Sequence, residues 1–113
     1  MTEYMLAQVQ LHYGYANLER YNQVMPKVRE LFEAEGAVLL HASVTRVGRL
    51  FEAWNLWQVE DQGHMARVFA GMGARASASD AVRRQAAEVT AELAAIVESE
   101  HVRFLESLPF SPT

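Results

Sequence analysis

The chain of 113 residues contains no cysteine. That excludes disulfide frameworks, thiolate nucleophiles and cysteine-ligated zinc. It also lacks any run of roughly 18 or more apolar residues, so no stretch reads as a membrane-spanning helix. Basic clusters are missing too. The 10 Lys and Arg are interleaved with 14 Asp and Glu, the net charge is −4, and nothing offers a phosphate track for nucleic acid. No Ser-His-Asp order and no phosphate loop is present. Gly71-x-Gly73 follows a helical pattern rather than a strand, so it is not a dinucleotide fingerprint. The opening "MTEYMLAQVQ" has an acid where a leader peptide wants base, and glutamines where it wants an apolar block. A cytoplasmic protein is the expectation.

The 4 histidines, His12, His41, His64 and His101, show no His-x-His or His-x-x-x-His spacing. No metal site and no cofactor is therefore expected. A haem would need an axial ligand, for which His64 is the one helical candidate, and a lone helix histidine reads as solvent-facing.

What is present is an ordinary globular balance, 50% hydrophobic and 21% charged, suited to a single domain over residues 1–113 with one core. Residues 4–13 alternate as a strand, with Met5, Ala7, Val9, Leu11 and Tyr13 on one face. Residues 17–35 carry helical spacing at Leu18, Tyr21, Met25, Val28, Leu31 and Phe32, with Asn17 as N-cap and Gly36 as a left-handed stop. Pro26 falls inside this stripe and predicts a kink or break near Gln23–Met25. Residues 37–47 and 50–60 are β-rich on either side of Val47-Gly48-Arg49 and read as a hairpin. The second run is apolar on both faces, which predicts cover on both sides. Arg46 and Glu52 are placed to pair across the hairpin. Asp61 caps a short helix over 62–72, "GMGARASAS" reads as a loop, a helix runs over 79–96, and 98–108 reads as a strand whose Val102, Phe104 and Leu108 share a face with acids.

The order β-α-β-β-(α)α-β predicts an α+β, ferredoxin-like antiparallel sheet with helices on one face. The other face would carry large apolar residues into water, which points to a homodimer packed sheet against sheet.

This order is similar to that of the dimeric α/β-barrel superfamily. Within it, the hairpin "ASVTRVGRLFEAWNLWQVED", with its Leu56-Trp57 pair, and the terminus "SEHVRFLESLPFSP" resemble the NIPSNAP family. Many relatives carry Glu and Arg where this chain has Met5 and Ala7, and a Trp where Ala81 and Val82 stand; the resemblance therefore implies a more apolar pocket here. It also implies a dimeric barrel with a ligand pocket between sheet and helices. The wider superfamily includes polyketide cyclases, muconolactone isomerases and cofactor-free monooxygenases.

Against that background several residues stand out. His41, mid-strand with Leu39, Ser43 and Thr45 as face partners, is a candidate general base, or else an imidazole packed in a dimer interface. Tyr13, Tyr15 and Tyr21 gather at the first strand-to-helix junction. Tyr13 is a second acid/base candidate; Tyr15 and Tyr21 would orient a phenolic substrate, unless all three cap the core. Asn55 and Trp57 share a strand face and would line the same pocket, with core packing as the alternative for Trp57. The expectation is a small cofactor-independent enzyme, of cyclase, isomerase or monooxygenase type, acting on an aromatic or polyketide-like molecule in a natural-product or catabolic pathway. The alternative is a non-catalytic dimeric module that binds a small ligand or a protein. Phe110, fixed between Pro109 and Pro112, is expected to run extended against a partner subunit or the end of its own sheet.

Overall fold

The computed structural model describes residues 3–71 and 79–112. The loop "GMGARASAS" and Met72 of the short helix's apolar stripe fall largely outside these residues. Strands β1 (Glu3–Leu11), β2 (Val38–Val44), β3 (Glu52–Val59) and β4 (Val97–Leu105) alternate with helices α1 (Tyr15–Ala34), α2 (Gln62–Gly71) and α3 (Asp80–Ile96). The strands form one antiparallel 4-stranded sheet in the order β2-β3-β1-β4. This is the ferredoxin-like arrangement that the element order predicts.

Alternation on the central strands decides which face the helices take. Met5, Ala7, Val9 and Leu11 of β1 and Ala53, Trp57 and Val59 of β3 are buried, and Met5 lies directly opposite Trp57. Tyr21, Val24, Val28, Leu31 and Phe32 of α1, with Ala86, Val89 and Ile96 of α3, close on them to form the core. The shortest dimension of the chain, 18 Å, is that of one sheet under one layer of helices. Among the described residues, no second layer covers the opposite face, which carries Leu6, Trp54, Leu56 and Leu105.

Five local expectations are corrected, the last of them at His64. Pro26 does not break α1, which runs through it. A proline inside a helix costs about 3 kcal/mol. Val24 and Val28 lie on either side of it and Leu31 and Phe32 one turn on, all buried on one face. Each such side chain contributes about 1.5–3 kcal/mol by leaving water, so the packing outweighs the lost bond. Asn17 is not the N-cap. Gly14 holds that position, and Asn17 Nδ2 instead donates to the carbonyls of His12 and Tyr13. Gly36, at φ +92°, does end the helix as expected. Glu52 takes hydrogen bonds from Gln8 Nε2 (2.9 Å) and Trp54 Nε1 (3.0 Å) in place of an Arg46 ion pair. The terminal segment is not extended: Ser111 N–H donates to the Leu108 carbonyl at 2.9 Å, closing a turn with Pro109 at its second position.

His64 is buried rather than solvent-facing. Its Nε2 lies 2.6 Å from the Glu35 carbonyl and its Nδ1 accepts from Glu60 N–H at 3.0 Å, so the ring staples α2 to the end of α1. Asp61 caps α2 as expected, accepting from His64 N–H at 2.8 Å.

Candidate functional site

A cavity of about 390 Å³ lies between the sheet and the α1/α3 layer. Its floor includes Met5, Ala7 and Val9 of β1 and Trp57 of β3; Met25 and Val28 of α1 and Leu93 of α3 help to form its roof. Trp57 is packed against Phe32, ring centroids 4.8 Å apart. The walls are almost wholly apolar, and the polar exceptions are Tyr21, Asn55, Thr90 and Glu100.

Strand parity places Asn55 between Ala53 and Trp57, facing α1, where an unpaired amide would be costly. Tyr21 resolves this: Asn55 Nδ2 donates to Tyr21 Oη at 2.6 Å. The phenol thus serves as acceptor for Asn55 and keeps its own O–H for the cavity. Burial pushes the Tyr21 phenol up to about 12, against a smaller opposing effect of the Asn55 hydrogen bond. Tyr21 is therefore a neutral donor throughout the working range. Tyr21, Met25 and Asn55 also line a second cavity of about 370 Å³ between α1 and β2, so the Tyr21–Asn55 pair stands as a partition between two chambers.

Glu100 comes to the same cavity from the edge strand. The register sets it opposite Val9, on the helix side of β4. Its side chain reaches the rim, and loss of water against the apolar wall raises its carboxyl above the ordinary value. Thr90 donates its hydroxyl to the Ala86 carbonyl at 2.7 Å, which leaves the oxygen as a weak acceptor. Outside the cavity, Arg20 Nε meets Glu92 at 2.6 Å and joins α1 to α3; that bond lowers the Glu92 carboxyl and raises the Arg20 guanidinium.

Of the residues singled out in the sequence, Tyr21, Asn55 and Trp57 are brought together. His41, Tyr13 and Tyr15 are not. A bulge in β2 between Leu39 and His41 shifts the register, so His41 faces Leu56 on the uncovered side of the sheet, away from Leu39 and from the cavity. Tyr13 and Tyr15 are exposed and pack edge-on against Phe51, with centroids at 5.0 and 5.2 Å. Phe51 has φ +60°, a conformation that costs roughly 1–2 kcal/mol for a residue of this kind. The two tyrosines and the Gln10 amide, which donates to the Leu50 carbonyl at 2.9 Å, hold it there. Glu100 is not among the candidates that the sequence pattern points to. Its signal was present: it stands two residues before Val102 and four before Phe104, a carboxylate on the apolar parity of the last strand.

Among the described residues no group of three His, Asp or Glu side chains is placed to hold a metal ion. Nor is any helix among them long and apolar enough to cross a membrane.

No family model matches the sequence, and no curated protein does. Solved structures do match over nearly the whole chain. A NIPSNAP family protein from Agrobacterium tumefaciens superposes with a TM-score of 0.79 at 16% identity, covering 99% of this chain and 98% of its own. An uncharacterised NIPSNAP domain protein from Burkholderia xenovorans gives 0.75 at 18% identity, covering 100% of both chains. SnoaB, a cofactor-independent oxygenase from Streptomyces nogalater, gives 0.63 at 12% identity, covering 99% of this chain and 98% of its own. The chain has the fold of the NIPSNAP structures, a ferredoxin-like antiparallel sheet with helices on one face.

Proposed function

We propose that this protein is a small enzyme that works without a cofactor on an aromatic or polyketide-like molecule held in the cavity between sheet and helices. The observation that carries the reading is the Tyr21–Asn55 hydrogen bond inside an otherwise apolar chamber. A chamber of that volume suits a compact ring system, and a few convergent polar groups fix its orientation. The cofactor-independent chemistry of the Streptomyces oxygenase, which shares the fold, supports the class and leaves the reaction open. Tyr21 and Asn55 orient the ligand, and Trp57 supplies a flat wall for it.

The same reading takes the uncovered sheet face as the contact between two copies of the chain. Leu6, Trp54 and Leu56 are half-buried there and Leu105 is exposed, which suits an isologous interface. His41 belongs to that face, so its role is in assembly rather than in the cavity.

Binding of 2-tetralone, a bicyclic aromatic ketone, tests the proposal by ligand-observed NMR. Saturable binding is expected. Asn55→Ala, which frees the Tyr21 phenol from its partner, should weaken binding by about tenfold, the worth of one hydrogen bond. Binding unaffected by Asn55→Ala and by a bulky Ala7→Phe filling of the cavity floor would place the ligand elsewhere and defeat the reading.

A further inference from the structure

We infer that the reaction in this cavity is proton transfer at carbon, on a ligand with an enolisable carbonyl, with Glu100 as the base and the Tyr21 hydroxyl as the donor to the carbonyl oxygen. The inference rests on the binding reading above and adds the reaction class and the acting groups.

The polar inventory of the cavity limits what it can do. It has one neutral hydroxyl donor, Tyr21, fixed by Asn55. It has one carboxyl group, Glu100, at the rim. No Lys, Arg or His lines the cavity among the described residues, so Glu100 meets no cation there. From α1 only Tyr21 faces it as a titratable group, and α3 and β1 contribute none. Arg20, Lys27, Glu88 and Glu92 line a separate groove on the outer side of α1 and α3. On its own strand Glu98 lies at the β4 irregularity beside Ser99, and His101 faces the other side of the sheet. Ionised Glu100 in turn opposes ionisation of Tyr21, which keeps the phenol a donor.

The step balances without any further reagent. A C–H bond next to the ligand carbonyl breaks and its proton passes to the Glu100 carboxylate. The electron pair forms a C=C bond, and the carbonyl π pair moves onto oxygen, where the Tyr21 O–H stabilises it. Return of the proton from Glu100 to the same carbon regenerates the ketone, and return to a conjugated carbon gives an isomer. A carboxyl with a raised pKa is a stronger base than a free one, and an apolar wall keeps the transient oxyanion away from bulk water.

Deuterium exchange of 2-tetralone in D2O, followed by NMR, tests this. The wild-type protein should accelerate loss of the α-proton signal, with saturation, and the rate should rise with pH through an ionisation above the ordinary carboxyl range. Glu100→Gln, at an exposed edge position, should lower the exchange rate about 100-fold or more while still binding 2-tetralone, and should remove that pH dependence. Tyr21→Phe should also lower the rate, by about 100-fold, because the oxyanion loses its donor. Binding by the wild type without exchange, or equal exchange by Glu100→Gln, overturns the assignment and leaves the binding reading standing. Absence of binding by the wild type overturns both.

Discussion

At the scale of single residues, the account turns on side chains whose polarity is at odds with their surroundings. Tyr21 is the first. Its phenol is pushed up to about 12, against an ordinary 10.0, because the fold disfavours its charge. The folded state therefore keeps the proton where the unfolded chain releases it. Stability contributed by this group is complete below about pH 10 and is lost as pH rises through the folded value. Alkaline unfolding should begin near pH 10 in the wild type and be less steep in Tyr21→Phe, as monitored by circular dichroism at fixed urea; identical pH profiles would contradict the burial. At neutral pH the same substitution leaves the Asn55 amide unpaired, at a cost of about 1–3 kcal/mol. His64 is the second such residue. His64→Ala strips partners from the Glu35 carbonyl and the Glu60 N–H, and should lower stability by about 1–3 kcal/mol in denaturant titration without altering ligand binding. Tyr21, Asn55 and Trp57 were legible because a phenol and an amide on apolar stripes demand partners. Glu100 carried the same signal more weakly, since whether the last strand's apolar parity faces helices is fixed only by its pairing with β1.

At the scale of elements, the strands and helices were readable from period and cap, and the departures have local causes. The β2 bulge is the most consequential. An extra residue near Leu40 reverses the side on which His41 emerges, and no parity count on one strand can show it, because a bulge is a property of the pair. The continuous α1 shows packing overriding propensity. It yields a direct prediction: Pro26→Ala restores an N–H to the helix interior at an exposed position, and should raise stability by about 1–3 kcal/mol, seen as a higher thermal midpoint. An unchanged or lower midpoint would mean that α1 owes its course to the proline.

At the scale of the whole molecule, the described residues cover the sheet on one side only. The sequence of β3, apolar on both faces, predicts cover on both, and among the described residues its second face remains open. If two copies close on that face, sedimentation should find a species of twice the 12.7 kDa chain mass, and Leu56→Glu should shift it to the single mass. Phe110 is 85% exposed within the chain. Burial of a phenylalanine is worth about 1.5–3 kcal/mol, so Phe110→Ala should weaken self-association about tenfold or more if this ring docks on the second copy. A persistent monomer in the wild type would contradict the interface.

The central claim is that ligand enters the chamber under α1 and α3, and the two tryptophans report on it independently. Trp57 lines that chamber, whereas Trp54 stands on the opposite face of the same strand. A ¹H–¹⁵N NMR titration with 2-tetralone should move the indole N–H of Trp57 and the side-chain amide of Asn55, and leave the indole N–H of Trp54 in place. Shifts confined to Trp54, with Trp57 and Asn55 unmoved, would contradict it.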